Sequence, residues 1–231
     1  MTPLRRITHA AKLAHAYLTQ PRGSAPLALH GIQRSGTNYA DACLRRMRVR
    51  PVNQVVPLPR DDPRHKHFRW YADKSAIPAF LRRQFDNDLV VTDVEHLNRA
   101  ARYRPDCAHV VMQKDRTAWL ASACNWGLRM GWFPPEPEAA LAELGPLVRD
   151  YEAYYAFWSD LAARFPDRVA VLELDALASD LGVLTEALDR LGVRYRRPPG
   201  FDGRIEEVPQ SPADRARRIT PEQVRARLEA G

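Results

Sequence analysis

The stretch Gly31-Ile32-Gln33-Arg34-Ser35-Gly36-Thr37-Asn38-Tyr39 sets two glycines, one cation and a run of small polar side chains between an apolar segment, Leu27 to Leu29, and a helix-spaced set, Ala40, Cys43, Leu44 and Met47. A strand, a tight loop and a helix start make an anion seat. The N–H groups of Ser35 to Asn38 have no partner inside such a helix, and its macrodipole adds partial positive charge there, so phosphate and sulfate are the natural occupants. The spacing Gly31-x-x-x-x-Gly36 fits the first places of a Walker A loop. Thr37, however, stands where that loop carries its phosphate lysine, and Asn38 where it carries the magnesium-binding hydroxyl. The cation sits inside the loop, at Arg34, which suits a donor handled by protein groups rather than by a metal.

Three further clusters carry chemistry. In Ala108-His109-Val110-Val111-Met112-Gln113-Lys114 an apolar strand runs into a cation, and Ser122 follows eight positions later on a helix, so a charge and a hydroxyl are directed to one anion. Arg64-His65-Lys66-His67-Phe68-Arg69-Trp70-Tyr71, with Lys74 beyond it, either lines an anionic acceptor site with His67 as a proton-accepting base, or is a solvated loop whose aromatics tuck into the core. Leu89-Val90-Val91-Thr92-Asp93 reads as a strand ending at an acid, with Glu95 and His96 just beyond. Asp93 there is a magnesium carboxylate, a base or a helix N-cap.

Gln33-Arg34-Ser35-Gly36-Thr37-Asn38-Tyr39 resembles the 5′-phosphosulfate loop of sulfotransferases that use 3′-phosphoadenosine 5′-phosphosulfate (PAPS), and Lys114 with Ser122 is similar to the pair that holds the donor's 3′-phosphate in that family. The resemblance runs from Leu27 to about Gly192. It implies a P-loop nucleotide-binding fold and transfer of a sulfuryl group from PAPS, without a metal, to a hydroxyl or amine acceptor, with a carbohydrate as one candidate. It implies that Arg34 stabilises developing charge and contacts the donor, that Ser35, Gly36, Thr37 and Asn38 hold the 5′-phosphate, that Tyr39 stacks near the adenine, and that Lys114 and Ser122 hold the 3′-phosphate. Asp93 or His67 is then the catalytic base, with His96 a further candidate; a carboxylate serves if desolvation raises its pKa. The chain departs from the family pattern at Arg116, where proline is common, at Leu174, where many members have a tyrosine near the adenine, and in lacking the late R-K-G motif, for which Arg215, Arg217 and Arg218 are the nearest substitutes.

These residues need a scaffold, and 231 residues suit a single α/β domain over 1–231. The expected strands are Leu27–His30, Val52–Val56, Leu89–Asp93, Ala108–Gln113 and Val169–Leu174, about five in a largely parallel sheet with helices on both faces. Leu147, Tyr151, Tyr154, Trp158, Leu161 and Phe165 mark one helical core stripe, broken from a short preceding helix at Gly145-Pro146, and Gly127 to Pro137 reads as an irregular loop, either a lid or a linker. Residues 1–25 form an amphipathic extension, a packed helix or a peripheral membrane contact, and 194–231 a basic tail closed by a short helix capped at Thr220. Lys plus Arg number 35 against 28 Asp plus Glu, a net +7 that favours anionic ligands, although no nucleic-acid recognition motif is present. Three separated cysteines point to a reducing, cytoplasmic setting, and no apolar run approaches the roughly 18 residues of a membrane span. A P-loop kinase using Mg-ATP, with Asp93 on the metal, and a non-enzymatic polyanion binder remain as alternatives.

Overall fold

The computed structural model describes residues 14, 17, 21, 23–54, 58–85, 87–205 and 219–230. Strands β1 (Leu27–His30), β2 (Ala108–Gln113) and β3 (Val169–Glu173) pair in parallel in the order β1-β2-β3, with Leu27 opposite Ala108 and His109 opposite Val169. In chain order the described helices are α1 Thr37–Arg46, α2 Ala79–Phe85, α3 Val94–Ala100, α4 Arg116–Met130, α5 Pro137–Ala142, α6 Leu144–Arg164, α7 Leu174–Ser179, α8 Gly182–Arg190 and α9 Pro221–Ala230. The architecture is α/β. Strand residues are apolar on both faces because both are covered. Leu27, Leu29, Val110, Met112, Ala170 and Leu172 pack with Ala40 and Leu44 of α1 and Leu184 and Leu188 of α8. Ala28, Val111 and Val169 pack on the other side with Leu120 and Cys124 of α4 and Tyr154, Trp158 and Leu161 of α6.

Among the described residues the sheet has three strands rather than about five. The expected strand at Val52 is a 3-10 turn, Val52–Gln54, and residues 55 and 56 lie outside the described set. The reason lies at the free edge of β1. The buried Asn53 side chain accepts from Leu29 N at 2.9 Å and donates to Leu29 O at 2.7 Å, doing the pairing of a neighbouring strand with one amide. Gly31 N donates to Lys66 O at 3.0 Å, so the edge is covered by a side chain and a loop. Leu89 to Thr92 runs without a ladder partner; Leu89 N is taken by Asn87 Oδ1 at 3.1 Å, and Val90 is 48% exposed.

Other boundaries also move. Helix α6 starts at Leu144 and carries Gly145-Pro146 in its first turn, where a missing N–H costs nothing, so the expected break is the helix start itself. Helix α4 continues through Gly127 to Met130 and ends at the left-handed Gly131 (φ 67°), which shortens the expected irregular loop. Thr220 and Gln223 form a reciprocal cap at the start of α9, at 3.3 and 2.9 Å. The end of the chain is not simply a solvated tail, since Ile219 and Val224 are buried in the core and the Asn125 side chain grips both Ile219 O (2.7 Å) and Ile219 N (3.2 Å). Most of the N-terminal extension, and Arg215, Arg217 and Arg218, lie outside the described residues. Among the described residues no helix is long and apolar enough to cross a membrane, and Cys43, Cys107 and Cys124 are buried free thiols.

Candidate functional site

The polar loop leaves the C-terminal end of β1 and turns into α1. Its glycines are required by space. A Cβ on Gly31 would stand 2.4 Å from Ser35 Oγ and 2.9 Å from Met112 O, and one on Gly36 would meet Leu174 Cδ1 at 2.6 Å. Gly36 is also left-handed (φ 92°), as is Arg34 (φ 70°), a conformation that a side-chain-bearing residue adopts only under constraint. Among the described residues, the N–H groups of Gly36, Thr37 and Asn38 donate to no backbone carbonyl. Helix α1 has no side-chain cap and no acidic residue in its first turn. Ser35 Oγ is fully buried near the Tyr155 hydroxyl without hydrogen-bonding geometry to it, and Gln33 Nε2 is buried without a partner as well. The unpaired backbone donors at this helix start, with no acid in the first turn, are of the kind that an anion can satisfy.

The second motif meets the first directly. Arg34 Nε donates to Ser122 Oγ at 3.2 Å, across 88 residues of sequence, and its guanidinium lies 5.3 Å from the centre of the Trp126 ring. Trp119 Nε1 donates to Gln33 O at 2.6 Å. Half-buried Lys114 follows β2, the strand beside β1; its carbonyl accepts from the Tyr151 hydroxyl at 2.7 Å, and Tyr155 holds Met112 O at 2.8 Å. Arg116, at the departure from the family pattern, pairs with Glu152 at the surface. Tyr39 donates its hydroxyl to Gly203 O at 2.8 Å, and Leu174 packs against Gly36.

The 64–74 segment divides in a way its composition does not announce. Arg64 pairs with Asp62 at 2.7 Å, Arg69 is buried against Asp150 at 2.7 Å, and Lys74 Nζ donates to Arg69 O at 2.7 Å, so each of these cations is held by a protein group. Lys66 Nζ donates to Asn38 Oδ1 at 2.8 Å, at the first turn of α1. His67 Nδ1 lies 2.5 Å from Gly31 O; a carbonyl only accepts, so Nδ1 carries the proton and Nε2 keeps its lone pair. Burial first, then the Lys66 charge, holds the His67 pKa well below the ordinary imidazole value, which keeps the ring in its base form. Behind the loop, Asn98 Oδ1 accepts from His109 Nε2 (2.9 Å), which leaves His109 Nδ1 to accept from His30 Nε2 (3.1 Å); both rings are fully buried and neutral, His30 with its pKa pushed down to about 3.

The hydrogen bonds of Asp93 join it to Thr92 and His96 at the start of α3, and among the described residues none of them reaches the loop. Asp93 caps α3 by accepting from His96 N at 2.7 Å, and that N–H holds its carboxyl below the usual range, so the carboxylate is engaged by the helix start. Its neighbour Thr92 is bonded through its carbonyl to Arg164, at the end of α6. Tyr151 of the same helix contacts Lys114, and its backbone position precedes that of Arg164 by about 20 Å of helix axis. The residue that sequence reasoning passed over is Asp150. Its signal is positional: it is an acid lying three residues after Leu147 and four before Tyr154, on the apolar face of α6. No protein-family model matches this chain, and no curated protein is significantly similar to it.

Proposed function

We propose that the protein is a sulfotransferase with a P-loop nucleotide-binding core, transferring a sulfuryl group from PAPS to a hydroxyl or amine acceptor. The observation that carries this reading is the Arg34–Ser122 contact beside an uncapped helix start, because it brings one residue of each sequence motif together. The unpartnered Ser35 hydroxyl and the amides of Gly36, Thr37 and Asn38 fit a 5′-phosphosulfate, while Lys114 and Ser122 suit a 3′-phosphate. In the reaction the donor's bridging S–O bond breaks as the acceptor's oxygen or nitrogen bonds to sulfur. Arg34 stabilises charge on the departing oxygen through its guanidinium alone, since arginine does not give up a proton. His67 accepts the acceptor's proton at Nε2, a role that Asp93, in its capping position, does not support. Positioning and charge carry such an in-line, loose transfer, by analogy with phosphoryl transfer. A carbohydrate stands as the candidate acceptor, and the three buried free thiols fit a reducing, cytoplasmic setting.

A thermal-shift titration with 3′-phosphoadenosine 5′-phosphate, Mg-ATP and an oligonucleotide tests the assignment. Binding only the folded state at a hundredfold excess over Kd stabilises by about 2.7 kcal/mol, well within detection. Stabilisation by the bisphosphate without magnesium is the expected result. Stabilisation by Mg-ATP but not by the bisphosphate replaces the reading with a kinase, and a response to the oligonucleotide alone replaces it with a polyanion binder.

A further inference from the structure

We infer that the buried pair Arg69–Asp150 is a positioning device that sets the anion-binding loop and the His67 imidazole against each other, with Asp150 on α6 as its fixed point. The inference rests on the sulfotransferase reading only for what the aligned groups do. Both side chains are wholly buried, and the pair is bidentate: Arg69 Nε to Asp150 Oδ1 at 2.8 Å and Nη2 to Oδ2 at 2.7 Å. The Tyr71 hydroxyl donates to the same carboxylate at 2.5 Å.

The remaining guanidinium donors leave the pair. Nη2 reaches Gln33 Oε1 inside the loop at 3.2 Å, and Nη1 reaches the carbonyl of His67 at 2.9 Å. Phe85 and Tyr154 flank the cation, with ring centres 4.4 and 5.5 Å away, and fix its plane. One guanidinium therefore holds a loop residue and the candidate base through rigid forked geometry. The same part of α6 supplies Tyr151 to the Lys114 carbonyl and Tyr155 to Met112 O, so this helix references the loop, the base and the second cation together.

Stability alone is a weak reason for the arrangement. Two well-packed apolar side chains in place of a buried ion pair are commonly neutral or stabilising, because neither charge has to be desolvated. What such a replacement cannot supply is the directed bonds to Gln33 and His67. That difference separates a positioning role from a structural one.

The test uses the double variant Arg69→Met with Asp150→Leu, and Arg69→Lys, which keeps the charge but loses the fork and needs no apolar repacking. Two quantities are read: affinity for 3′-phosphoadenosine 5′-phosphate, and the pH titration of the His67 ring nitrogens by NMR. Either folded variant is expected to bind the bisphosphate about tenfold more weakly, the equivalent of one lost charge-assisted hydrogen bond. Its His67 titration midpoint is expected to move up toward the ordinary imidazole value as the ring gains water. In Arg69→Lys the charge is retained, so a shift there reports position rather than electrostatics. Wild-type affinity together with an unmoved His67 titration in a folded variant overturns the inference. If the unaltered protein does not bind the bisphosphate, the sulfotransferase reading fails, while the His67 titration still decides the positioning role.

Discussion

Two helix starts in this molecule look alike in sequence and behave oppositely. Both α1 and α3 follow an apolar run, and both carry polar residues suited to chemistry. At α3 the Asp93 carboxylate turns back onto His96 N, and the helix start satisfies itself. At α1 the N-cap is a left-handed glycine with no side chain to offer, the first turn holds no acid, and the nearby Ser35 hydroxyl is buried without a partner. A helix start is left open to a ligand when neither its own sequence nor its surroundings cap it.

Acid separates the two ends most strongly. His30, His67 and His109 are neutral and buried around the loop, with folded-state pKa values pushed below the unfolded value of about 6.5. The unfolded chain therefore binds more protons below that pH. The stability these groups contribute is complete above about 6.5 and is lost as pH falls toward their folded values, at roughly 1.4 kcal/mol per pH unit for each ring and about 4 for the three together. Asp93 titrates in the same sense, since its carboxyl is also depressed, but its contribution is lost only as pH falls below the ordinary carboxylate range. Chemical denaturation between pH 7 and 5 is expected to show the steep loss; a flat profile over that interval removes the neutral-histidine account.

Next in size is Gly31→Ala. The added methyl has no space between Ser35 Oγ and Met112 O, so about 1–3 kcal/mol of stability and most of the bisphosphate affinity are expected to go together. Thermal unfolding and titration of the same sample check both, and a variant with intact affinity shows that the loop tolerates a shape this packing forbids.

The smallest effects are a crossed pair. Ser35→Ala removes a hydroxyl that bonds nothing in the protein, so stability is expected to hold while bisphosphate affinity falls about tenfold. Asp93→Ala removes a cap, so about 1 kcal/mol of stability is expected to go while affinity holds. If the two variants exchange these outcomes, the open and closed helix starts have been assigned the wrong way round.

The elements that carry the motifs were legible because their signals are local. Leu27–His30, Ala108–Gln113 and Val169–Glu173 are strands close to the bounds their apolar runs predict, and the α6 stripe packs at its 3- and 4-residue spacing. Among the described residues the Val52 and Leu89 segments carry the same local signal but form no strand of the sheet. Whether a strand forms depends on a free edge, and the edge of β1 belongs to Asn53 and Lys66. Cations show the same limit: Arg64, Lys66, Arg69 and Lys74 are equivalent in composition, yet one is in the core, one faces the loop and two are spent on neighbouring groups.

The glycine-bounded loop and the eight-residue step from Lys114 to Ser122 were legible in the sequence alone, because backbone geometry over a few residues sets both. The tertiary structure was needed to show that Arg34 reaches Ser122, that His67 presents a neutral ring to Gly31, that Asp93 caps α3, and that Asp150 holds the cation between the loop and His67. Those contacts join segments tens of residues apart, and burial selects which polar partners meet only once both cores have closed over the sheet.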